Sequence, residues 1–306
     1  MNSMQTPHPD LPLAAAPTPR PPTRSHFRCF HRLRVRWAEV DMQKIVFNAH
    51  YLMYIDTAMS EYWRALALPY EASTLALGGE MYVKKATVEY HASARLDDAL
   101  DVGLRCVRVG RSSCVFEAGV FSGDQLLVSG ELVYVFADPA TQTSRPVPPA
   151  LRAIFEGFEA GADMVEVRTG DWNTLGRDAG RLRTAVFVRE QGIPAEVEAD
   201  ALDATARHAV AYNRLGMPVA TGRLLQQAPG VGRIGRMAVD RSVRGSQWGR
   251  QLLDALVAAA QARGDQEVQL HAQRSAEGFY RRAGFAVAGE PWEEAGISHI
   301  AMARRL

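Results

Sequence analysis

The chain has 306 residues, nearly half of them apolar, and a formal net charge of +1. That length exceeds the roughly 100–200 residues of one ordinary domain, so two are expected. A near-neutral chain is a poor general polyanion binder, because such binding draws on many Lys and Arg contacts with phosphates.

The three cysteines, Cys29, Cys106 and Cys114, form no CxxC and sit among apolar residues, which fits reduced thiols in a cytoplasmic protein. The eight histidines are scattered without ligand spacing, so no metal is expected. No apolar run approaches the roughly 18 residues of a membrane span. The N-terminus lacks a charged region followed by an apolar core, so a signal peptide is not expected either.

Residues 1–25 are rich in Pro, Thr and Ala without periodicity and read as an extended, mobile tail. "FRCFHRLRVRW" follows as a strand, then the polar loop "AEVDMQK", then a helix whose buried face is drawn by Leu52, Ile55, Met59, Tyr62, Trp63 and Leu66. The runs "MYVKKATVEY", "LDVGLRCVRVG", "SSCVFEAGVF" and "LLVSGELVYVF" read as strands. The alternation of the second slips near Val107, where a bulge would explain it. One helix followed by antiparallel strands reads as α+β, with the helix packed across a curved sheet.

The Pro-rich stretch with a short helix around 137–163 is the natural seam, and the boundary falls near Gly161. It divides the chain into the tail (1–25), a first domain (26–160) and a second (161–306). Beyond the seam strands alternate with helices: "MVEVRTG", a helix near 175–190, "HAVAYNR", "PVATGRLLQ", "RIGRMAVD", a helix at 248–262, "EVQLHAQ", a helix at 276–283 and terminal strands. No internal repeat relates the halves.

In the first half, Glu39 and Asp41 stand just before a helix start near Asn48. Unpaired N–H groups and the helix dipole there would polarise an ester or thioester carbonyl as an oxyanion hole does. A nearby carboxylate could act as general base on water or attack directly. On spacing alone, loop and cap duties are the favoured reading of Asp41 and Asn48.

The run "WAEVDMQKIVFNAHYLMYIDTAMSEYWR", with the strands after it and the closing "RPVPPALR", resembles hotdog-fold acyl-CoA thioesterases of the 4-hydroxybenzoyl-CoA thioesterase-like branch. The resemblance implies that Asp41 is the catalytic carboxylate and that Asn48 stands where relatives often carry Tyr or His. Glu39 then falls to a backbone-bonding or surface role, and Tyr51 to the core. The Pro-Ala-Gly or Ala-Gly-Gly common after the Asp is here Met42-Gln43-Lys44. The resemblance also implies active sites built across a homodimer or homotetramer.

In the second half, "RIGRMAVDRSVRGSQWGRQLLDALVAAA" runs strand, basic glycine-containing loop, amphipathic helix, a pattern suited to a pyrophosphate at a helix N-terminus. That loop, with "EVQLHAQ", "FYRRAGFAV", "LRTAVFVREQGIPAEVEADALDATARHAVAY" and "GEPWEEAGISHIAM", resembles GNAT N-acetyltransferases, an α/β fold with a mixed sheet. The resemblance implies that Met237, Ala238 and Val239 pair with pantetheine. It also implies that Arg244, Gly245, Ser246, Gln247, Trp248 and Gly249 hold the CoA pyrophosphate, with Arg250 adding charge. Tyr280 becomes the candidate general acid for the leaving thiolate, and Glu190 and His299 the favoured bases. Glu196, Glu198, Asp200 and Asp203 form an acidic group that could bind a cationic amine. Gln247 replaces a usual glycine and would strain the loop if the position needs positive φ.

These readings give a bifunctional CoA-dependent enzyme that hydrolyses acyl-CoA and transfers an acyl group, expected to be acetyl, to an amine. Acyl-CoA and acetyl-CoA are substrates, no cofactor is tightly bound, and neither nucleic acid nor membrane is a partner. The alternative is that one domain is inactive and serves as an acyl-CoA-binding or assembly module. A hotdog dehydratase fits less well, because the loop offers only His50 to pair with the acid.

Overall fold

In the computed structural model, residues 21–306 are described, apart from 199 and 295. Most of the expected tail therefore lies outside the described residues. Its last residues are attached to the body: Pro22 is buried, and Arg24 pairs with Asp101 at 2.5 Å and donates to the Gly123 carbonyl. The expectation of a free tail through residue 25 is corrected by those anchors.

The first unit contains β1 (Cys29–Arg34), α1 (Asn48–Ala65), α2 (Tyr70–Leu77), β2 (Glu80–Tyr90), β3 (Ala99–Val109), β4 (Ser113–Ser122), β5 (Gln125–Ala137) and α3 (Pro149–Glu159). Its five strands form an antiparallel sheet in the order β1-β3-β4-β5-β2. The β3–β4 register shifts between Cys106 and Arg108, the bulge expected at Val107. Helix α1 lies against β1 and β3.

The buried stripe of α1 is Tyr51, Tyr54, Ile55, Ala58, Tyr62 and Trp63, whereas Leu52 is 39 % exposed. Leu52 was expected inside, and tyrosines take the inner face instead because each buried hydroxyl finds a partner. Tyr51 accepts from the Ala94 amide at 2.9 Å, Tyr54 donates to Glu39 at 2.8 Å and Tyr62 donates to Glu159 at 2.6 Å. Tyr62 also packs edge-on against Phe116 and Phe158, which ties α3 to this core.

The second unit contains β6 (Val165–Gly170), α4 (Trp172–Arg183), α5 (Ala195–Glu198), β7 (Arg207–Asn213), β8 (Pro218–Ala228), β9 (Val231–Val239), α6 (Trp248–Arg263), β10 (Glu267–Gln273), α7 (Glu277–Arg282), β11 (Ala286–Val287), β12 (Trp292–Glu294) and β13 (Ile297–Arg305). The strands form one mixed sheet, β11-β13-β10-β9-β8-β7-β6, with β12 beside β13. Only β9 and β10 are parallel among its pairs. The expected helix at 175–190 starts earlier, because Asp171 caps it by accepting from the Thr174 amide at 2.9 Å, and it widens into a π-helix over Thr184–Glu190.

The pairing of β9 with β10 covers Val231–Ile234 and stops there, so the two strands part beyond it. That fork leaves β9 without a β10 partner from Gly235 to Val239, where the Val239 carbonyl accepts from Arg244 Nε at 2.9 Å. The two units touch where α1 ends: the Arg64 carbonyl accepts from Ser246 Oγ and Trp248 Nε1, both at 3.3 Å, and Asn213 donates to the Ala67 carbonyl at 2.8 Å.

Candidate active sites

The loop before α1 is a tight hairpin. Asp41 N donates to the Ile45 carbonyl, Lys44 N donates to the Asp41 carbonyl, and Val40 bridges to Val46. Lys44 takes φ +62°, a left-handed conformation that a glycine enters without the Cβ penalty of roughly 1–2 kcal/mol. This is the position where glycine ends the triplet common in the hotdog thioesterases that the loop resembles.

The two carboxylates of the loop have separate environments. Glu39 is 3 % exposed, accepts from the Arg36 amide and the Tyr54 hydroxyl at 2.8 Å each, and pairs with the Arg36 guanidinium. Burial works to raise its pKa, yet those hydrogen bonds hold it below the usual glutamate value. Asp41 accepts from the Gln43 amide at 2.8 Å through one oxygen and, among the described residues, has no ion-pair partner.

Asp41 and Asn48 line one cavity of about 340 Å³ together with Tyr51, Tyr90, His91 and Ser93. The amides of Asn48 and Ala49, at the start of α1, have no hydrogen-bond partner among the described residues. The arrangement therefore sets the Asp41 carboxylate and Asn48, the first residue of α1, around one opening, with the free Ala49 amide next along the helix. Tyr90, His91 and Ser93 escaped the sequence reading. They enter because the end of β2 packs beside the start of α1, where the Tyr90 hydroxyl donates to the Asn48 carbonyl at 3.2 Å.

The second site occupies the fork between β9 and β10, a cavity of about 540 Å³ that brings together Met237, Tyr280 and His299. Tyr280 is buried, and burial pushes its pKa up to about 12. It therefore keeps its proton at neutral pH. The His299 Nδ1 lies 2.8 Å from the Ile297 carbonyl; that acceptor fixes the proton on Nδ1 and leaves the Nε2 lone pair available.

Glu190 is not among the residues lining this cavity. It is clamped by Arg244 through two hydrogen bonds of 2.6 and 2.8 Å, and that guanidinium lowers its pKa. A carboxylate so held is a poor proton acceptor, and the expectation for Glu190 as a base is corrected to an ion pair that tethers the loop at Arg244.

Of the acidic group, Glu198, Asp200 and Asp203 are also spoken for, while Glu196 is exposed and does not line the fork cavity. Arg183, 1 % exposed, pairs with Glu198 and with Asp203 at 2.8 Å; Arg223 pairs with Asp203 at 2.7 Å and Asp200 at 2.6 Å; Arg236 reaches Asp200 at 3.1 Å. The Arg223 hydrogen bonds bring the Asp200 pKa down to about 2. These carboxylates are anchors of a buried ionic network and do not stand ready for an amine. Arg236 adopts φ +52° at the fork.

In the loop before α6, Gly245 carries the positive φ, +88°, while Gln247 sits at φ −83° as the N-cap residue. The feared strain at Gln247 is absent. From Gly245 to Arg250 the amides have no hydrogen-bond partner among the described residues, the arrangement of free donors at a helix start that suits an anion. Arg250 turns away from it, pairing with Asp254 at 2.8 Å and donating to the Arg282 carbonyl.

Two candidate sites on two unrelated folds thus share the chain. A sequence model of the Thioesterase superfamily matches residues 43–129, and one of the Acetyltransferase (GNAT) domain matches residues 177–306. The N-acetyltransferase YjcF of Bacillus subtilis is 37 % identical over 127 residues, 41 % of this chain and 89 % of that protein. Protein ElaA of Escherichia coli K12 is 36 % identical over 132 residues, 41 % of this chain and 84 % of that one. The acyl-CoA thioester hydrolase YbgC of Escherichia coli O6:H1 is 29 % identical over 125 residues, 40 % of this chain and 92 % of that one. The chain belongs to the hotdog thioesterases through its N-terminal part and to the GNAT acetyltransferases through its C-terminal part, as a fusion of the two.

Proposed function

We propose that the chain is a bifunctional CoA-dependent enzyme, a thioester hydrolase followed by an N-acyltransferase. The observation that carries the first half is the unpaired Asp41 carboxylate sharing a cavity with Asn48, where α1 begins with the free amides of Asn48 and Ala49. In this reading the thioester carbonyl oxygen accepts from those amides while Asp41 takes a proton from water. The hydroxide equivalent adds to the carbonyl carbon, and the C–S bond breaks. The resemblance of this half to acyl-CoA thioester hydrolases supports CoA as the leaving group.

The second half rests on the fork. An acetyl-CoA pantetheine arm would pair with the edge of Met237, Ala238 and Val239 that β10 leaves uncovered, taking the Val239 carbonyl from Arg244, with the pyrophosphate on the amides from Gly245 to Gly249. The acceptor nitrogen attacks the thioester carbon, a C–N bond forms as the C–S bond breaks, and the electron pair leaves on sulfur. His299 Nε2 receives the amine proton. Tyr280, with a pKa of about 12, donates a hydrogen bond to the developing thiolate, whose conjugate acid sits near 8.5, so full proton transfer from the phenol runs uphill. The solvated thiolate takes its proton afterwards.

The exposed Leu52 and Met53 on α1 and the edge strand β2 support self-association of the first unit. The boundary between the domains falls at Gly161, between α3 and β6, in this reading. The test is an acyl-CoA panel scored for free thiol and for product mass, with calorimetry of acetyl-CoA alongside. Asp41→Ala is expected to lower hydrolysis by roughly 10²–10⁴-fold. Equal rates for the two proteins would sink the hydrolase assignment, and absence of acetyl-CoA binding would sink the transferase.

A further inference from the structure

Every carboxylate of the acidic group that faces the fork cavity is matched by an arginine. Glu198 and Asp200 line it, and so do Arg223 and Arg236, but these four are bound within the network that includes Arg183 and Asp203. The remaining charged lining residues are Arg233 on β9 and Glu294 on β12. Among the described residues, neither side chain has a hydrogen-bond or ion-pair partner.

Arg233 is half-buried, and the adjacent floor is open: a Cβ added to Gly235, two residues along β9, would meet nothing within 4 Å. The opposite wall is aromatic. His271 meets the Trp292 ring edge-on at 4.8 Å, and Trp292 stacks on His299 at 5.9 Å. Arg233 and Glu294 are both near enough to act on the His271 imidazole. Burial lowers its pKa first and the cation lowers it further, while the carboxylate opposes. One unmatched charge of each sign therefore flanks His271, in the same cavity as His299, the base that the proposed function assigns.

We infer that the acceptor of the second site is a small zwitterion, an amine that also carries a carboxylate, with Arg233 holding the carboxylate and Glu294 drawing the ammonium toward His299. A polyamine or a lysine in a basic segment would find one unmatched carboxylate and an opposing guanidinium, an arrangement that rejects it. This inference rests on the acetyl-transfer reading and adds the chemistry of the acceptor to it. The forked guanidinium suits a planar carboxylate, and a charge-assisted pair of that kind is lost entirely when the carboxylate is capped.

The experiment uses the full chain, acetyl-CoA, a panel of L-amino acids, the matching amino acid amides and putrescine, with product mass and initial rates as readouts. The acids are expected to be acetylated with KM values roughly ten- to a hundredfold below those of their amides. Arg233→Gln should raise KM for the acids to the level of the amides while leaving calorimetric acetyl-CoA affinity in place. Arg233→Lys should restore part of the preference. Equal or better use of amides or putrescine overturns the inference, as does turnover with none of the acids when acetyl-CoA is bound. A loss of acetyl-CoA affinity in Arg233→Gln also overturns it, because the guanidinium would then serve CoA. Failure of the wild type to bind acetyl-CoA is a separate result that removes the transferase reading itself, and this inference with it.

Discussion

The two cavities handle charge in opposite ways. Around the first, a single carboxylate stands unpaired at half-buried depth, with its sibling two residues away locked against Arg36 and Tyr54. Around the second, three carboxylates and three arginines neutralise one another, and the groups left over are a phenol, two imidazoles and one lone charge of each sign. The comparison teaches where to look for chemistry. A paired ion has its pKa and its lone pairs committed to the fold, so the reactive candidates are the polar groups that the structure leaves without partners.

The largest effect should come from breaking the paired side of this contrast. Arg183→Met leaves Glu198 and Asp203 without their shared partner in a buried site, and is expected to destabilise the second unit by about 3–5 kcal/mol. Chemical denaturation with a tryptophan or amide-exchange probe reads it. The same network predicts an acid limit. Asp200 has a folded pKa of about 2 against an ordinary 3.8, so its contribution is fully present above pH 3.8 and is lost as pH falls toward 2. A denaturation series below pH 4 should show stability falling, and the fall should shrink in Asp200→Asn.

A smaller effect is expected on the unpaired side. Tyr280→Phe removes only the hydrogen bond to the developing thiolate, so acetyl transfer should slow roughly ten- to a hundredfold with acetyl-CoA affinity kept. An unchanged rate would return Tyr280 to the core. The smallest concerns the hairpin that presents Asp41. Lys44→Gly relieves a left-handed non-glycine residue and should change stability by less than about 1 kcal/mol, in the stabilising direction, because the glycine also adds freedom to the unfolded chain. Thermal melts of the two proteins measure it.

Much of the fold was legible because alternation and 3.6-residue periodicity are local signals. The bulge near Val107, the strand runs and the change of pattern near Gly161 all follow from neighbours in sequence. The inner face of α1 was misread at Leu52 because a tyrosine is buried only when its hydroxyl finds a distant acceptor, and Glu39 and Glu159 are not visible from the helix itself. The same reason hides the fate of Glu190 and of Asp200 and Asp203, whose arginines arrive from β8, β9, α4 and the loop before α6.

Asp41 and Asn48 stand in a motif whose parts lie close in sequence, and the structure brings both to one opening. Arg233 had a readable signal that was passed over. It alternates with Gly235 and Met237 on the strand expected to pair with pantetheine, so it belongs beside whatever that strand binds. Glu294 and Trp292 had none, because β12 reaches the cavity only by folding back on β13.

The most direct test of the contrast sets the two carboxylates of one loop side by side. Free-thiol release from acyl-CoA substrates is measured for the wild type, Asp41→Asn and Glu39→Gln, together with the melting midpoint of each. Asp41→Asn should lose hydrolysis at an unchanged midpoint, while Glu39→Gln should lose stability and keep its rate per folded molecule. The reverse pattern, hydrolysis surviving in Asp41→Asn and lost in a still-folded Glu39→Gln, would contradict the account.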